Sequence, residues 1–368
     1  MAWFLKVSAI AGLMIGAISN PVLATDIRVF EWEGYIWPYK DKFEAYARSK
    51  GKDVRLVATV DSAGKQRFIG SSDDIFIALR DKQADVVTPT NNYYKAENNK
   101  LLRLLLDIDV SRLQNYRDLP SALRDAQYSY DGGKPHAIPL LGGSYAIAYN
   151  AKRVTVPPTS WADLLDTKYA GRVSVTNDQF EANIYSLALL AGSKPQDVYD
   201  IERIDRKKVQ DYLNRLVKNC GGLWGGLAKS EDMANLDVIT DYLMAVTIAN
   251  AAGQDWKIAT PKEGETLWLD NISIARGVEK DPEKLEAAYL LLDFMLSAET
   301  QASIARDMGV VVTNPKAKPL LPAGSMIERM AGDASFFKEE YFWQPLNNRT
   351  RNAYRQMWDE ALRVAGKK

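Results

Sequence analysis

Trp268 and Asp270 are the two residues whose types and spacing best suit the binding of an organic cation. They lie two positions apart in the alternating apolar run 265–274, which predicts a β-strand. Side chains two apart on a strand leave the same face, so an indole and a carboxylate would lie side by side. The carboxylate would neutralise a positive charge, while the indole face would attract an ammonium group or cover methylenes. The alternative is a buried tryptophan beside a surface aspartate at a strand end.

Aromatic side chains also follow the first predicted strand, residues 27–32. Trp32 ends this strand, and Tyr35 comes after a turn at Gly34. Open α/β sheets bind ligands outside the carboxyl ends of their strands, which places both rings at a predicted ligand rim. The alternative, which stays open, is that both rings pack beneath the first helix.

Two carboxylates, Asp178 and Glu181, lie where the predicted strand 171–176 passes into a helix. Three residues apart, they could clamp an ammonium group over the edge of the sheet. Acids are also favoured at a helix N-terminus by the helix dipole, so capping is the alternative. The two roles are compatible.

The elements predicted around these residues alternate strand and helix in the doubly wound pattern of α/β proteins. The predicted helices cover residues 40–49, 73–82, 183–191, 205–219, 281–296, 297–308 and 348–364, with one more from Tyr242, and the further strands cover 54–60, 84–87, 136–150, 238–240 and 258–260. Strand 136–150 and the strand that carries Trp268 are predicted to cross between two lobes. A length of 368 residues also favours two lobes over a single core.

The composition argues against several classes of function. Lys and Arg together number 47, as do Asp and Glu, so no net charge favours nucleic acid as a partner. One histidine, His136, and one cysteine, Cys220, cannot supply a zinc cluster or an intramolecular disulfide. No phosphate-binding glycine motif is present. We therefore predict a binding protein without a metal, a cofactor or enzymatic activity.

Residues 1–24 are predicted to be a signal peptide. Lys6 precedes the apolar stretch 7–18, and small or permissive residues stand at 22–24, ahead of Thr25. The apolar stretch is shorter than the ~20 residues of a membrane span. No cysteine stands at the predicted cleavage site. The expected product is a periplasmic protein without a lipid anchor.

Six short motifs, in order along the chain, resemble those of the periplasmic spermidine/putrescine-binding proteins of ABC transporters. They are W-E-G-Y at 32–35, V-V-T-P-T at 86–90, T-S-W-A-D-L at 159–164, T-N-D-Q-F-E at 176–181, W-L-D at 268–270 and W-Q at 343–344. Each motif is weak alone. Their order and spacing carry the resemblance over essentially the whole chain after residue 24.

The resemblance implies a type II periplasmic-binding-protein fold, with two α/β lobes joined by crossing strands, each lobe a mixed, mostly parallel sheet flanked by helices. Lobe I would comprise residues 25–144 and 270–315, and lobe II residues 145–269 and 316–368. The residues implied to hold the ligand are the aromatic walls Trp32, Tyr35 and Trp268, the acids Asp178, Glu181 and Asp270, the Thr90 hydroxyl and the Gln344 amide.

Some positions depart from the family pattern. The run 240–242 stands where the family commonly has a tryptophan motif, Val310 stands where a tyrosine is common, and the loop 61–72 is longer by several residues. Asp241, Tyr242 and Glu33 are candidates to compensate for the two lost aromatic residues, but the sequence does not place them. The further candidates for the ligand site are Glu33, Tyr93, Thr240, Asp241 and Val310.

The residues and the resemblance together predict a receptor that closes two lobes on a linear polyamine of the putrescine, spermidine and norspermidine class. The first hypothesis for its role is delivery to an inner-membrane ABC permease. The alternative is a periplasmic polyamine sensor that docks on a membrane-bound cyclic-di-GMP phosphodiesterase or cyclase and controls signalling such as biofilm formation. In either role the expected protein is a monomer.

Overall fold

A mixed sheet runs through the computed structural model, which describes residues 24–97, 100–226 and 228–367. The strands are β1 Thr25–Phe30, β2 Val54–Ala58, β3 Val86–Val87, β4 Tyr130–Asp131, β5 Lys134–Pro135, β6 Ile138–Asn150, β7 Val173–Thr176, β8 Cys220–Trp224, β9 Val238–Asp241, β10 Trp256–Ala259, β11 Thr266–Ile274 and β12 Val311–Val312. The α-helices are α1 Lys40–Ser49, α2 Ser72–Arg80, α3 Ser121–Arg124, α4 Glu181–Ala191, α5 Arg206–Asn219, α6 Ser230–Met233, α7 Met244–Ala251, α8 Pro282–Leu296, α9 Ala298–Met308, α10 Met326–Met330 and α11 Asn348–Val364. The predicted signal peptide lies outside the described residues except for Ala24.

Two long strands, β6 and β11, join the two halves of the sheet. The strand order is β2-β1-β3-β11-β6-β9-β7-β8, with β10 and β12 paired to β6. β1 pairs parallel with β2 and β3, and β7 pairs parallel with β8 and β9, so each half has a parallel core. β11 runs antiparallel to both β3 and β6, and β6 runs antiparallel to β9. The start of β6 pairs with β11 and β12 and its end with β9 and β10, so the chain crosses between the halves within β6.

The centre of the molecule is buried along both crossing strands. Every residue of β6 and β11 is buried, as expected for strands that are covered on both faces. α1 and α8 pack together beside β1, and α4, α5 and α11 form the layer beside β7. No helix in the described part of the chain has the length and apolar character that a membrane crossing requires.

Side-chain caps set the starts of helices that border the space between the halves. The hydroxyl of Ser71 accepts a hydrogen bond of 3.3 Å from the Asp74 amide at the start of α2. The side chain of Asn347 accepts a bond of 2.8 Å from the Thr350 amide at the start of α11. Each cap satisfies an amide that has no partner within its helix.

The predicted α/β fold, with two lobes joined by crossing strands, is confirmed. The predicted helices 40–49 and 348–364 coincide with α1 and α11. The helix predicted from Tyr242 begins two residues later, because Leu243 takes a left-handed φ of 76°. The Asp241 carboxylate fixes this start by accepting hydrogen bonds from two amides of the first turn of α7.

The residue numbers at which the chain passes from lobe to lobe stay a prediction. α11 lies against α5, in the half that contains β7. α10 lies against β12, and the 3-10 helix Pro315–Leu320 lies against α9. The chain after residue 315 therefore contacts elements on both sides of the crossing strands.

Candidate functional site

A cavity of about 330 Å³ lies between the two lobes. Its size falls within the ~300–1,000 Å³ range of small-molecule sites. From the ligand set implied by the sequence, it brings together Trp32, Tyr35, Thr90, Asp178, Trp268 and Asp270, together with the further candidate Glu33. The other lining residues are Phe68, Ile69, Gly70, Gln179, Gly226, Tyr242, Met244 and Trp343.

The carboxyl group of Asp270 is buried in the wall of this cavity. Its Oδ2 atom accepts a hydrogen bond of 2.6 Å from the hydroxyl of Tyr35. Its Oδ1 atom has no donor in hydrogen-bonding geometry among the described residues, although the nearby Thr90 hydroxyl helps to stabilise the charged form. Burial dominates and raises the pKa of Asp270 to about 7, because an apolar surrounding disfavours the charge. A ligand cation would supply the opposite charge that this carboxylate lacks.

The indole of Trp268 shares the cavity with Asp270, as the alternation along β11 predicts. Its neighbour on β6 is Gly143. A Cβ atom at Gly143 would come within 2.9 Å of the indole, so glycine allows the ring to pack directly on the backbone of β6. Tyr242 contacts the indole edge-on, with the ring centroids 6.1 Å apart. These contacts fix the orientation of the indole wall.

A tight turn after β1 places Trp32 and Tyr35 in the cavity. Gly34 in this turn has a φ of 95°, which residues with side chains rarely adopt. Beneath the turn, the buried carboxyl group of Glu31 accepts hydrogen bonds from the amides of residues 36 and 37. The amide of Trp32 donates to the Thr88 hydroxyl at 3.0 Å, which ties the turn to the end of β3. Both rings therefore line the cavity from one rigid segment.

Asp178 lines the lobe II side, and its carboxylate already has protein donors. Oδ1 accepts hydrogen bonds from the Thr176 hydroxyl at 2.7 Å and the Gln179 amide at 2.8 Å. Oδ2 accepts one of 2.6 Å from the Gly226 amide. These bonds tie the end of β7 to the loop after β8. A carboxylate has about four lone-pair sites, so capacity for a ligand nitrogen remains.

Glu181 lines a second, smaller cavity of about 130 Å³. Burial raises the pKa of Glu181 to about 7, while the guanidinium groups of Arg355 and Arg351 favour its charged form. The candidate Tyr93 lines the same cavity and accepts a hydrogen bond of 3.3 Å from the side chain of Gln179. The two cavities adjoin, because four residues line both: Gly70, Asp178, Gln179 and Trp343.

Four sequence candidates line neither cavity. The side-chain amide of Gln344 donates to the carbonyl of residue 342 at 3.0 Å. Thr240 is buried and accepts a hydrogen bond of 2.6 Å from a tyrosine hydroxyl of β6. Asp241 is buried as the cap of α7, and Val310 is buried completely. A ligand contact by any of these four residues stays a prediction.

The cavity also contains side chains that the sequence prediction misses. Phe68 and Ile69 come from the loop 61–72, and Met244 comes from the first turn of α7. A sequence feature that could have indicated Phe68 is the apolar pair that it forms with Ile69 in a loop of mainly polar and small residues. The local sequence does not indicate that Met244 lines the cavity, because its position there depends on how α7 meets the other lobe.

His136 and Cys220 line neither cavity. Cys220 is buried, and burial raises the pKa of its thiol to about 12, so its reactive thiolate form is disfavoured. Across the described ranges, no group of three or more His, Cys, Asp or Glu side chains is arranged to hold a metal ion.

Known proteins show clear similarity to this chain. A putrescine/cadaverine-binding protein of Pseudomonas aeruginosa is 25% identical over an alignment of 381 residues, which covers 96% of this chain and 98% of that protein. A norspermidine sensor of Vibrio cholerae is 27% identical over 191 residues, which covers 51% of this chain and 52% of the sensor.

A solved structure with the same fold is that of the spermidine/putrescine ABC transporter substrate-binding protein of Streptococcus pneumoniae. The TM-score is 0.69 at 17% sequence identity, over 93% of this chain and 100% of that chain. The model of one family, described as bacterial extracellular solute-binding protein, matches residues 82–334, which is more than half of the chain. The protein thus belongs to the bacterial extracellular solute-binding protein family.

Proposed function

We propose that this protein is a periplasmic receptor that binds a linear polyamine between its two lobes. The observation that carries the proposal is the Asp270 carboxyl group, which is buried at the cavity and has one oxygen that receives no hydrogen bond from the described residues. An ammonium group at this oxygen would form a charge-assisted hydrogen bond, one of the stronger kinds in proteins. Without such a partner, a buried charge costs several kcal/mol.

The rings beside Asp270 suit the methylene segments of such a ligand. Trp32, Tyr35 and Trp268 line the same cavity, and aromatic faces attract both an ammonium group and apolar carbons. A small hydrated metal cation would gain little from these three walls. The combination of one buried acid with several rings therefore favours an organic cation.

Further acids lie where a longer ligand would extend. Asp178 borders both cavities, and Glu181 lies in the second. A second ammonium group would neutralise Glu181, whose pKa burial has raised to about 7. The names of the relatives, which refer to putrescine, cadaverine and norspermidine, support the same ligand class.

For the role of the receptor, delivery to an inner-membrane ABC permease is our first proposal. In this role the protein is exported and acts as a monomer. It closes on its ligand, because only the closed state contacts the ligand from both lobes.

The second candidate role is that of a polyamine sensor docking on a membrane-bound cyclic-di-GMP enzyme, and similarity to a norspermidine sensor favours it. Deleting the gene separates the two roles. Loss of labelled polyamine uptake supports delivery. A changed cyclic-di-GMP level with intact uptake supports sensing.

Calorimetry of the purified protein against putrescine, spermidine, norspermidine and spermine tests the proposed ligand class. We expect the Asp270→Asn variant to bind its preferred polyamine about tenfold or more weakly, because a charge-assisted contact in a dry site is lost. Asp211→Asn, at an exposed position on α5, is the matched control and should bind like the wild type. Failure of all four polyamines to bind, or an unchanged dissociation constant in Asp270→Asn, would overturn the proposal.

A further inference from the structure

Phe68 is an apolar wall of the cavity that comes from a polar surface loop. The loop 61–72 lies between β2 and α2, and its first five residues are exposed. Phe68 is partly buried and lines the cavity beside Ile69. This loop precedes residues 82–334, the part of the chain that matches the family model.

The backbone holds Phe68 in place from both sides. The amide of Arg67 donates to the carbonyl of Thr59 at 2.8 Å, and the amide of Ile69 donates to the carbonyl of Glu31 at 2.9 Å. These two bonds attach the residues on either side of Phe68 to the ends of β2 and β1. A residue flanked by two such bonds has little freedom to leave the cavity, so its ring is a preorganised surface for a ligand.

The base of the loop is ordered by its own turn. The carboxylate of Asp61 accepts hydrogen bonds from the amides of Ala63 and Lys65, at 2.8 and 2.9 Å. Val60 and Gln66 form an antiparallel bridge. The guanidinium group of Arg67 lies over the ring of Phe30, 5.4 Å from its centroid. The extra residues of the loop therefore fold back against lobe I. This fold directs Phe68, which follows them in the chain, toward the cavity.

Phe68 lines the first cavity, two residues before Gly70, which lines both cavities. Asp178 and Gln179 also line both cavities, from lobe II, and Met244 lines the first cavity from that lobe. A ligand held by Asp270 at one end and long enough to extend toward Glu181 would leave the first cavity beside these shared residues, of which Gly70 is close in sequence to Phe68.

We propose that Phe68 is a specificity-determining residue, which packs against the second methylene segment of a triamine and so favours triamines over diamines. This inference rests on the proposed polyamine function. A diamine held at Asp270 has one methylene segment, which the rings around Asp270 cover. A triamine such as spermidine or norspermidine has a second segment, and we assign the contact with Phe68 to this segment because Phe68 lies two residues before Gly70, which lines both cavities.

The test compares Phe68→Ala with the wild type in calorimetry against putrescine, norspermidine and spermidine. Covering two to three methylenes is worth roughly tenfold or more in affinity. We expect Phe68→Ala to bind both triamines about tenfold more weakly and putrescine by less than about threefold. Phe68→Leu, which keeps apolar bulk, should restore most of the triamine affinity.

The matched control is Phe76→Ala, which removes a partly buried phenylalanine from α2 that lines neither cavity. It should leave the triamine-to-diamine ratio unchanged. Ligand-free melting temperatures of all three variants separate loss of folding from loss of contact. If Phe68→Ala lowers the affinity for all three ligands equally, or lowers none of them, the proposed role of Phe68 is overturned while polyamine binding stands. Absence of binding by the wild type instead overturns the proposed function itself.

Discussion

Asp270 and Glu181 lie in two adjoining cavities, and burial raises the pKa of each to about 7. They differ in their surroundings. Among the described residues, the groups that stabilise the charged form of Asp270 are the neutral hydroxyls of Thr90 and Tyr35, whereas Glu181 is close to two arginines. The two guanidinium groups near Glu181 would repel a ligand ammonium group, whereas the hydroxyl groups near Asp270 would not. The first cavity is accordingly the stronger candidate for the anchoring nitrogen.

We expect polyamine affinity to be fully developed above pH 7 and to weaken by up to about tenfold per pH unit below it. The reason is that the ammonium group lowers the pKa of Asp270 in the complex, from the value of about 7 in the free protein. Between these two values, binding releases a proton. Calorimetry in two buffers of different ionisation enthalpy measures this proton. Asp270→Asn should remove the part of the release that comes from Asp270, while Glu181, whose pKa is also about 7, still releases a proton to a second ammonium group. A dissociation constant that stays constant from pH 8 to pH 5.5 would contradict the role of Asp270.

The sequence places Trp268 and Asp270 well because strand alternation is local. Residues two apart share a face wherever the strand lies. Phe68 and Met244 are not predicted from the sequence. The position of Phe68 depends on the conformation of a loop, and that of Met244 depends on the contact between the two lobes. Gln344 was inferred from resemblance, and in this structure its amide bonds to its own backbone segment instead of lining a cavity.

The start of α11 connects the two lobes in this structure. The guanidinium group of Arg351 lies 3.1 Å from the carboxylate of Asp73 on α2. The amide of Asn348 donates to the carboxylate of Glu97 at 3.0 Å. Both contacts lie between the C-terminal helix and lobe I, near the second cavity that Arg351 lines. They hold the lobes together independently of any ligand.

Arg351→Ala should speed ligand dissociation up to about fivefold at low salt, because an exposed ion pair contributes ~0–1 kcal/mol. The side chains of Arg351 and Asp73 are 40% and 53% exposed, so this pair is an exposed ion pair. Stopped-flow fluorescence measures the dissociation rate. The control is Arg349→Ala, whose ion-pair partner Glu202 lies just before α5 in the same half of the molecule. The prediction fails if both variants change the rate alike, or if high salt leaves the difference intact.

Helices were easier to predict than the short strands. α1 and α11 match their predicted bounds because amphipathic spacing is encoded locally, and α11 also has a side-chain cap at Asn347. β3 was predicted over 84–87 but forms only at Val86–Val87. Asp85 instead bonds through its carboxylate to Arg28, at 2.6 and 2.9 Å. Such a long-range partner leaves no periodic pattern in the sequence.

At the scale of the whole molecule, a ligand between the lobes should alter tryptophan fluorescence through the two indoles Trp32 and Trp268. Both line the cavity from different segments of the chain. We expect the polyamine-induced fluorescence change to be reduced in a Trp32→Phe, Trp268→Phe double variant, which keeps an aromatic ring at each wall, and the part that remains to come from Trp343, which also lines the cavity. Calorimetry should show that the double variant still binds.

Trp37→Phe is the control, because Trp37 is partly buried but lines neither cavity. It should retain the fluorescence change. If the double variant binds and still shows the full change, the two indoles do not report on the ligand.

The strand order also has a consequence for the time at which the protein can fold. β11 lies between β3 and β6, with Ser273 paired to Val87 and Asp270 to Leu141. The middle of the sheet stays open until residues 266–274 have left the ribosome, although most of its other strands have been made long before. Pairings this distant in sequence also form slowly. A newly made chain therefore cannot complete this sheet until late in its synthesis.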